Sequence, residues 1–419
     1  MSGSRRNARP TPRRDPSHGP SFSLAAGGFP TAAILSAVGL LIVAFVTLGV
    51  TNGDLPFVSS NGGGSGPGAS DNPAVQKTPT PSNVVIVATP EPGTQLPGTL
   101  VYAKDGNIWL QNEGTATQLT TGGSNSMPAF SPDGTSVFFV RTRRVDGKWP
   151  MAGTVKDYRL DVPTLMEIPV SGGDPKAVLD GIVNPPGSYK WSGFIREPAI
   201  SPDGRYVAIA TDLPDPTTSD VVIKLYDLKT NKIKDLGLDQ VPPLGHQDPT
   251  WKPDGSRLLY VRNDRDGAKG ASRLYLYNPA NGKTKAVTGP GYLYPSWSPD
   301  GQYIAATRTN AYGTDIVILD ASTGAELARL TDDGNSWAPT WSPKGDQIAY
   351  LHVVGQVIDL RMIPLEGAAP NWTAGDPVDL TTNAGLDGVS RPGWFIPQDQ
   401  LPTPTPSPTE APAASPAGS

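Results

Sequence analysis

Through residues 98–397 apolar and polar positions alternate in short runs, the period of a strand with one buried face. The runs VFFV (137–140), YVAIA (206–210) and RLLYV (257–261) each follow the same motif. It reads PAFSPDG from Pro128, PAISPDG from Pro198, PTWKPDG from Pro249, PSWSPDG from Pro295 and PTWSPKG from Pro339. A degenerate sixth copy, RPGWFIP, occupies 391–397. Successive motif prolines stand 70, 51, 46, 44 and 53 residues apart, a spacing of propellers and solenoids. Ser-Pro-Asp-Gly is turn chemistry: proline sets φ at the second position and glycine takes the fourth. Each motif is therefore a hairpin between two strands. Phe130, Ile200, Trp251, Trp297, Trp341 and Trp394, two residues after each proline, read as packing wedges between neighbouring sheets.

Third and fourth strands follow, as in VVIKLYDLKTNKIKDLG (221–237), RLYLYNPANGKTKAVTG (273–289) and DIVILDASTGAELARLT (315–331), with a turn between them. One repeat is then a four-stranded antiparallel sheet. Segment 99–120 has three strands without an opening one, and 391–397 has an opening strand with nothing after it. Together they make one sheet. The expected fold is all-β: a six-bladed β-propeller spanning 98–397, closed by pairing its N- and C-terminal segments, which protects the sheet edges.

A different pattern stands upstream. Thr31 to Val50 holds 20 residues without a charge, about a bilayer core when helical. It predicts one transmembrane signal-anchor helix over 30–51; its length and the lack of a nearby A-x-A site argue against a cleaved signal peptide. Residues 1–29, with five arginines against Asp15, form a basic tail held in the cytoplasm. The propeller then lies outside, extracellular or periplasmic. Residues 52–97, rich in Gly, Ser, Pro and Thr, read as a disordered linker interrupted by a stray strand at Val84-Val85-Ile86-Val87. The tail 398–419, with its Thr-Pro alternation, reads as a disordered Pro-rich spacer.

Charge and composition narrow the function. The net charge is −5, so the residues after the basic tail carry −9, which argues against a nucleic-acid partner. There is no cysteine and there are three histidines, His18, His246 and His352. Thiolate chemistry is excluded, and a histidine-rich metal site or triad has little to draw on. No G-x-S-x-G, P-loop or H-E-x-x-H is present, and Asn263-Asp264-Arg265-Asp266-Gly267 reads as a turn rather than a calcium loop.

The P-x-W-S-P-D-G repeat with its Leu-Thr closing strand (Leu119-Thr120, Leu330-Thr331) resembles the TolB-type WD40-like (PD40) propeller family, related to the propellers of prolyl oligopeptidase and dipeptidyl peptidase IV. The resemblance covers about 300 residues. It implies a six-bladed propeller that binds proteins or peptides through its faces and channel.

Two candidate sites follow. The turn between strands two and three points to the same face as the connections between blades, and the long first interval places its excess there. Residues 141–165 hold Arg141, Arg143, Arg144, Lys148, Trp149, Lys156 and Arg159 against Asp146, Asp157 and Asp161. Residues 181–197 add Tyr189, Lys190, Trp191, Phe194 and Arg196, and basic and aromatic residues on long loops suit recognition. The competing reading is that these loops pack on each other and the arginines pair with nearby acids. The channel mouth is the second candidate. The residues before the motif prolines start the innermost strands: Met127, Glu197, Asp248, Tyr294, Ala338 and Arg391. Glu197 and Asp248 lie on adjacent blades with His246 nearby, a set suited to a calcium-like cation or a ligand amine. The competing reading is a wet polar channel in which Arg391 neutralises an acid.

The function expected is a non-enzymatic binding or scaffold module for a protein, peptide or cell-envelope ligand, as a monomeric ring without cofactor. The alternatives are a propeller hydrolase or lactonase with a channel-bound divalent cation, and a membrane-tethered regulatory scaffold.

Overall fold

The computed structural model describes residues 84–86 and 96–401, apart from 152–153, 185–189, 217–218, 241–244, 264–271 and 398–399. The expected anchor, the basic tail, most of the linker, the Pro-rich tail and residues 264–267 of the calcium-like segment lie outside the described residues. Among the described residues no helix is long and apolar enough to cross a membrane.

Six antiparallel sheets follow the six motif copies, and each runs from an innermost strand outwards. Blade 2 comprises Asn125–Phe130, Ser136–Met151, Thr154–Pro169 and Lys176–Asp180. Blade 3 comprises Arg196–Ile200, Tyr206–Thr211, Val222–Asp227 and Lys232–Lys234. Blade 4 comprises His246–Trp251, Leu258–Arg262, Arg273–Asn278 and Lys283–Ala286. Blade 5 comprises Tyr292–Trp297, Tyr303–Asn310, Gly313–Asp320 and Glu326–Arg329. Blade 6 comprises Ser336–Trp341, Gln347–Val354 and Val357–Glu366; its outer edge is split between Thr373–Ala374 and Val378–Asp379.

Blade 1 closes the ring as the fragments require. Gly393–Phe395 is its innermost strand and pairs with Thr99–Lys104 in the register Thr99↔Phe395, Leu100↔Trp394, Val101↔Gly393. Asn107–Asn112 and Thr115–Gln118 follow. The expected stray strand is a fifth, outermost strand: Val84–Ile86 pairs with Thr115–Gln118. The innermost strands contact one another from blade to blade all the way round.

The motif builds this ring twice over. In its turns the Asp133 carboxylate accepts from Ser131 Oγ (2.6 Å) and Thr135 N (3.1 Å), and Asp203 and Asp300 repeat the pattern. Gly134 sits at φ +67° against Phe395, whose ring occupies the place where a Cβ would stand. The aromatics act as the expected wedges. Trp251 Nε1 donates to Ala199 O (3.1 Å) and Trp297 Nε1 to Thr250 O (3.4 Å), each on the preceding blade. Trp394 Nε1 donates to Pro97 O (2.8 Å). Apolar residues fill the spaces between sheets; Ala208, Ile223 and Leu225 of blade 3 meet Leu258, Tyr260 and Tyr277 of blade 4. Each large aliphatic buried there contributes about 1.5–3 kcal/mol.

The two ends of the ring differ. One carries the motif turns; the other, here the connector face, carries the turns between second and third strands and the links between blades.

Candidate functional site

The innermost strands share a distortion. Each of blades 2–6 has a register break, and the residue at it has a left-handed backbone: Met127 (φ 53°), Glu197 (55°), Asp248 (52°), Tyr294 (48°) and Ala338 (54°). These are the predicted residues before the motif prolines. A β-bulge turns the peptide N–H out of its own sheet. Here each N–H is received by a neighbouring group. Met127 N donates to Ser390 Oγ (2.8 Å), Glu197 N to Met127 Sδ (3.3 Å) and Asp248 N to Glu197 Oε2 (2.6 Å). Tyr294 N donates to Asp248 Oδ2 (3.2 Å) and Ala338 N to Thr307 Oγ1 (3.0 Å). The two channel carboxylates are thus stitches between consecutive blades.

Arg391 completes the arrangement from the sixth position. It precedes the blade 1 strand and reaches blades 4 and 5, donating through Nη1 to Pro295 O (2.6 Å) and through Nη2 to Pro249 O (3.3 Å). Arg196 Nη2 lies 3.2 Å from Glu197 Oε1. Asp248 is 3% exposed; burial, then the Glu197 charge, push its carboxyl well above the usual range, and Arg391 opposes them. Burial and the same two acids push the Tyr294 phenol up.

His246 does not join the acids. Its ring packs at a tilt against Tyr260 (centroids 4.9 Å, planes at 47°), and its Nδ1 faces Ile223 N at 3.5 Å. Burial, then the Arg262 charge, lower its pKa to about 4, so it is neutral at pH 7. Among the described residues no group of three or more His, Asp or Glu is placed to hold a metal ion.

The two connector-face loops meet where Ser192 Oγ donates to Asp161 O (2.8 Å), and most cations there have acidic partners. Arg143 makes a two-pronged pair with Asp180 (2.7 Å), Arg144 meets Asp161 (3.4 Å), Lys148 meets Asp157 (2.8 Å) and Arg159 meets Asp146 (3.7 Å). Arg141 Nε donates to Asn125 Oδ1 (2.7 Å). Lys156 is exposed on the same ribbon. Trp191 pairs in a two-stranded ribbon, Trp191–Ser192 with Ile182–Val183, and Phe194 is 45% exposed. Phe194 N donates to Asp212 Oδ1 (2.7 Å). Tyr189 lies outside the described residues, and Trp149 is placed only by its strand register.

Sequence reasoning missed three features. Tyr312 (92% exposed) and Val354 (57%) stand on connector-face turns, where a lone apolar residue in a short loop gives no pattern. Arg141, Arg262, Arg308 and His352 each stand on a second strand 13 residues after the motif proline. Arg262 binds Asp239 (3.1 Å), Arg308 donates to Pro290 O (2.7 Å) and His352 faces Asp333 (3.4 Å), so three of them clamp the connection entering their blade. That fixed interval was readable. Asp333, Ser336 and His352 superficially form a nucleophile constellation. Ser336 is fully buried, however, and both partners approach the same His352 nitrogen, Nδ1. The geometry suits a structural clamp.

These elements define a closed six-bladed propeller with a stitched channel and a loop-rich connector face. Residues 187–372 match the family "TolB beta propeller domain", the resemblance that the motifs carry. Among curated proteins, the chain is 30% identical to dipeptidyl-peptidase 5 of Porphyromonas gingivalis over 174 residues, 38% of this chain and 25% of that one. It is 38% identical to the Tol-Pal system protein TolB of Alcanivorax borkumensis over 61 residues, 14% of this chain and 13% of that one. It therefore spans a quarter or less of these relatives. In fold it is similar to TolB from Acinetobacter baumannii (TM-score 0.51, 19% identity, covering 71% of this chain and 66% of that one). It is also similar to a putative TolB from Agrobacterium tumefaciens (TM-score 0.50, 16% identity, 73% and 96%).

Proposed function

We propose that the protein is a membrane-anchored, extracytoplasmic propeller that binds a protein, peptide or cell-envelope ligand without catalysing a reaction, and that it does so on the connector face. One observation carries the reading. Of the five large apolar residues left exposed among the described residues, Val155, Phe194, Tyr312 and Val354 are on that face; Leu327 is on an outer strand. Exposed apolar groups gathered on one surface, with cations around them, are the ordinary make-up of a docking surface. The channel offers less: its acids already accept peptide N–H groups, and Arg391 already bridges it. The name of the Tol-Pal relative supports an envelope setting. The peptidase relative keeps a hydrolase reading in view, for which a stoichiometric divalent cation bound through Glu197 and Asp248 is the discriminating measurement.

The test is photo-crosslinking in intact cells, with the reactive residue at Phe194 or Tyr312 and, as the opposite-face control, at Lys229. A discrete adduct from the first two positions and none from Lys229 is expected. Adducts from Lys229 alone would place the binding surface on the other face.

A further inference from the structure

On the connector face, blades 5, 6 and 1 are joined into one rim. The link entering blade 6 is gripped from both sides: Thr314 N donates to Gly334 O (3.0 Å), and Val353 N donates to Asn335 O (3.1 Å). The link that follows blade 6 is gripped in the same way, by Leu386 N on Ile358 O (2.9 Å) and Asp387 N on Ala103 O (2.9 Å). Turns and links therefore alternate along the rim in the order 310–314, 332–335, 353–358, 383–390 and 103–106. Its apolar side chains stand on the turns. Tyr312 is 92% exposed and Val354 57%, Ala311 is exposed, and Val353 and Val357 are half-buried. Only the two-residue stretch Asp332-Asp333 and its link separate the two exposed turns of blades 5 and 6.

Charge says what these apolar groups meet. Asp332 and Asp105 are exposed, and among the described residues neither carboxylate enters a hydrogen bond or an ion pair. Asp333 and Asp387 stand beside them and accept from the hydroxyls of Ser336 (3.0 Å) and Ser390 (2.6 Å). Asp315 and Asp359 lie buried beneath. The cations near the rim are fewer, and each is engaged. Arg308 donates to Pro290 O (2.7 Å) and Gly291 O (3.2 Å) and covers the Tyr292 ring (4.6 Å). Lys104 lies over Trp109 (5.6 Å), Arg329 pairs with Asp315 and Glu326, and Arg361, further out, pairs with Asp379. Burial lowers the pKa of His352, so it is neutral at pH 7. The free-standing charge of the rim is therefore negative, whereas Arg141, Arg143, Arg144, Arg159 and Arg196 put the cations of the connector face on blades 2 and 3. A surface that alternates apolar and acidic groups is complementary to a chain that alternates apolar and cationic ones. An open tyrosine ring next to carboxylates adds a seat for an ammonium or guanidinium group. The same charge repels an anionic lipid surface.

We propose that the rim of blades 5, 6 and 1 binds an extended basic segment of a partner protein, one in which lysine or arginine alternates with apolar residues. One cation lies over Tyr312 toward Asp332, another reaches Asp105, and the apolar side chains between them rest on Val354 and Val357. The inference rests on the connector-face reading and narrows it to one sector and one class of partner.

The absence of native cysteine allows single-site labelling. The full chain carrying Gln356→Cys, at the exposed tip of the blade 6 turn, is labelled with an environment-sensitive fluorophore. It is titrated with four synthetic glycine-flanked peptides whose cores are Lys-Val-Lys-Val-Lys, Glu-Val-Glu-Val-Glu, Lys-Ser-Lys-Ser-Lys and Ser-Val-Ser-Val-Ser. The first peptide should give a saturable change and bind about tenfold tighter than any of the others. Salt at 1 M, where the screening length falls to about 3 Å, should weaken it several-fold. Asp332→Asn, Asp105→Asn and Tyr312→Ala should each weaken it by about two- to fivefold. Asp174→Asn, an exposed acid by the motif turns, should not. Circular dichroism checks that the ring is unchanged in each variant. No saturable binding of the first peptide overturns the proposal, as does equal binding of the Lys-Ser peptide or indifference to both Asp332→Asn and Asp105→Asn. A chain that sediments as a dimer, dissociated by Asp332→Asn, overturns it in favour of a second copy of this chain. The Tyr312 crosslink separates the two readings: if it persists while the peptide fails, the connector face still binds and only the basic segment is wrong.

Discussion

Replacing Arg391 by methionine tests whether the channel is a structural centre. Methionine keeps most of the length and removes the guanidinium. Two charge-assisted hydrogen bonds go, to Pro295 O and Pro249 O, each worth about 1.5–3 kcal/mol. Asp248, 3% exposed, and Glu197 lose an opposing charge at the same time. Arg391 keeps some solvent contact, so the sum is discounted to about 3 kcal/mol, the low end for breaking a buried ionic arrangement. For a domain of this size that is a fall of roughly 6 °C in melting temperature. Asp248→Asn should behave in the opposite way. The amide oxygen still accepts Tyr294 N–H, and the unfavourable buried charge is gone. The sign follows from the raised carboxyl pKa: the native state holds that proton more tightly than the unfolded chain, so the stability is present in acid and lost as pH rises toward neutrality. Asp248→Asn should therefore gain on the wild type between pH 4 and 8, and should recover part of the Arg391→Met loss. Melting curves of the four proteins across that range form the cycle. If Asp248→Asn destabilises more than Arg391→Met, and Arg391→Met is silent, the carboxylate serves a bound ligand and the argument fails.

Other perturbations probe separate parts of the ring. Trp394→Ala removes a buried indole and its bond to Pro97 O at the seam, and should lower stability by about 3–5 kcal/mol in urea unfolding; a loss below 1 kcal/mol would mean that the seam does not hold the ring. Gly134→Ala forces a Cβ against the Phe395 ring at positive φ, with an expected loss of about 1–3 kcal/mol by the same measurement. His246 has a lowered pKa, so its contribution is present above pH 6.5 and is lost as pH falls toward 4, to a total of about 3 kcal/mol. His246→Phe should flatten that acid limb of the stability curve, and an unchanged limb would show that His246 is not its source. Phe194→Asp with Tyr312→Asp should lower the melting temperature by no more than about 3 °C, since Tyr312 is almost wholly and Phe194 nearly half exposed, while abolishing the connector-face crosslink.

The ring itself was legible because five of the six copies repeat the same turn chemistry. Ser131, Pro132, Asp133 and Gly134 specify a hairpin from four adjacent letters, and the blade-closing fragments at 99–120 and 391–397 are each incomplete alone. The site was less legible because its geometry depends on bulges. Alternation places Glu197 and Asp248 at the channel but gives no hint that each carboxylate receives the next blade's peptide N–H. The same limit applies to His246. Two positions from Asp248 along a strand would share its side, but the intervening register break sends the imidazole between sheets, against Tyr260. The ion pairs on the long second and third strands of blade 2 did have a signal. Lys148 and Asp157, Asp146 and Arg159, and Arg144 and Asp161 are symmetric in number about 152–153, so the register of Met151 opposite Thr154 sets each cation against its acid.

The central claim is that ligand engagement takes place on the connector face while the channel remains a closed structural centre. Hydrogen exchange of the full chain, alone and with the crosslinked partner once purified, tests this most directly. The account predicts new protection at 194, 310–313 and 354–357, with the amides of Glu197, Asp248 and Tyr294 unchanged. Protection appearing first at those channel amides, or at the motif turns around Gly134, Gly204 and Gly255, would contradict it.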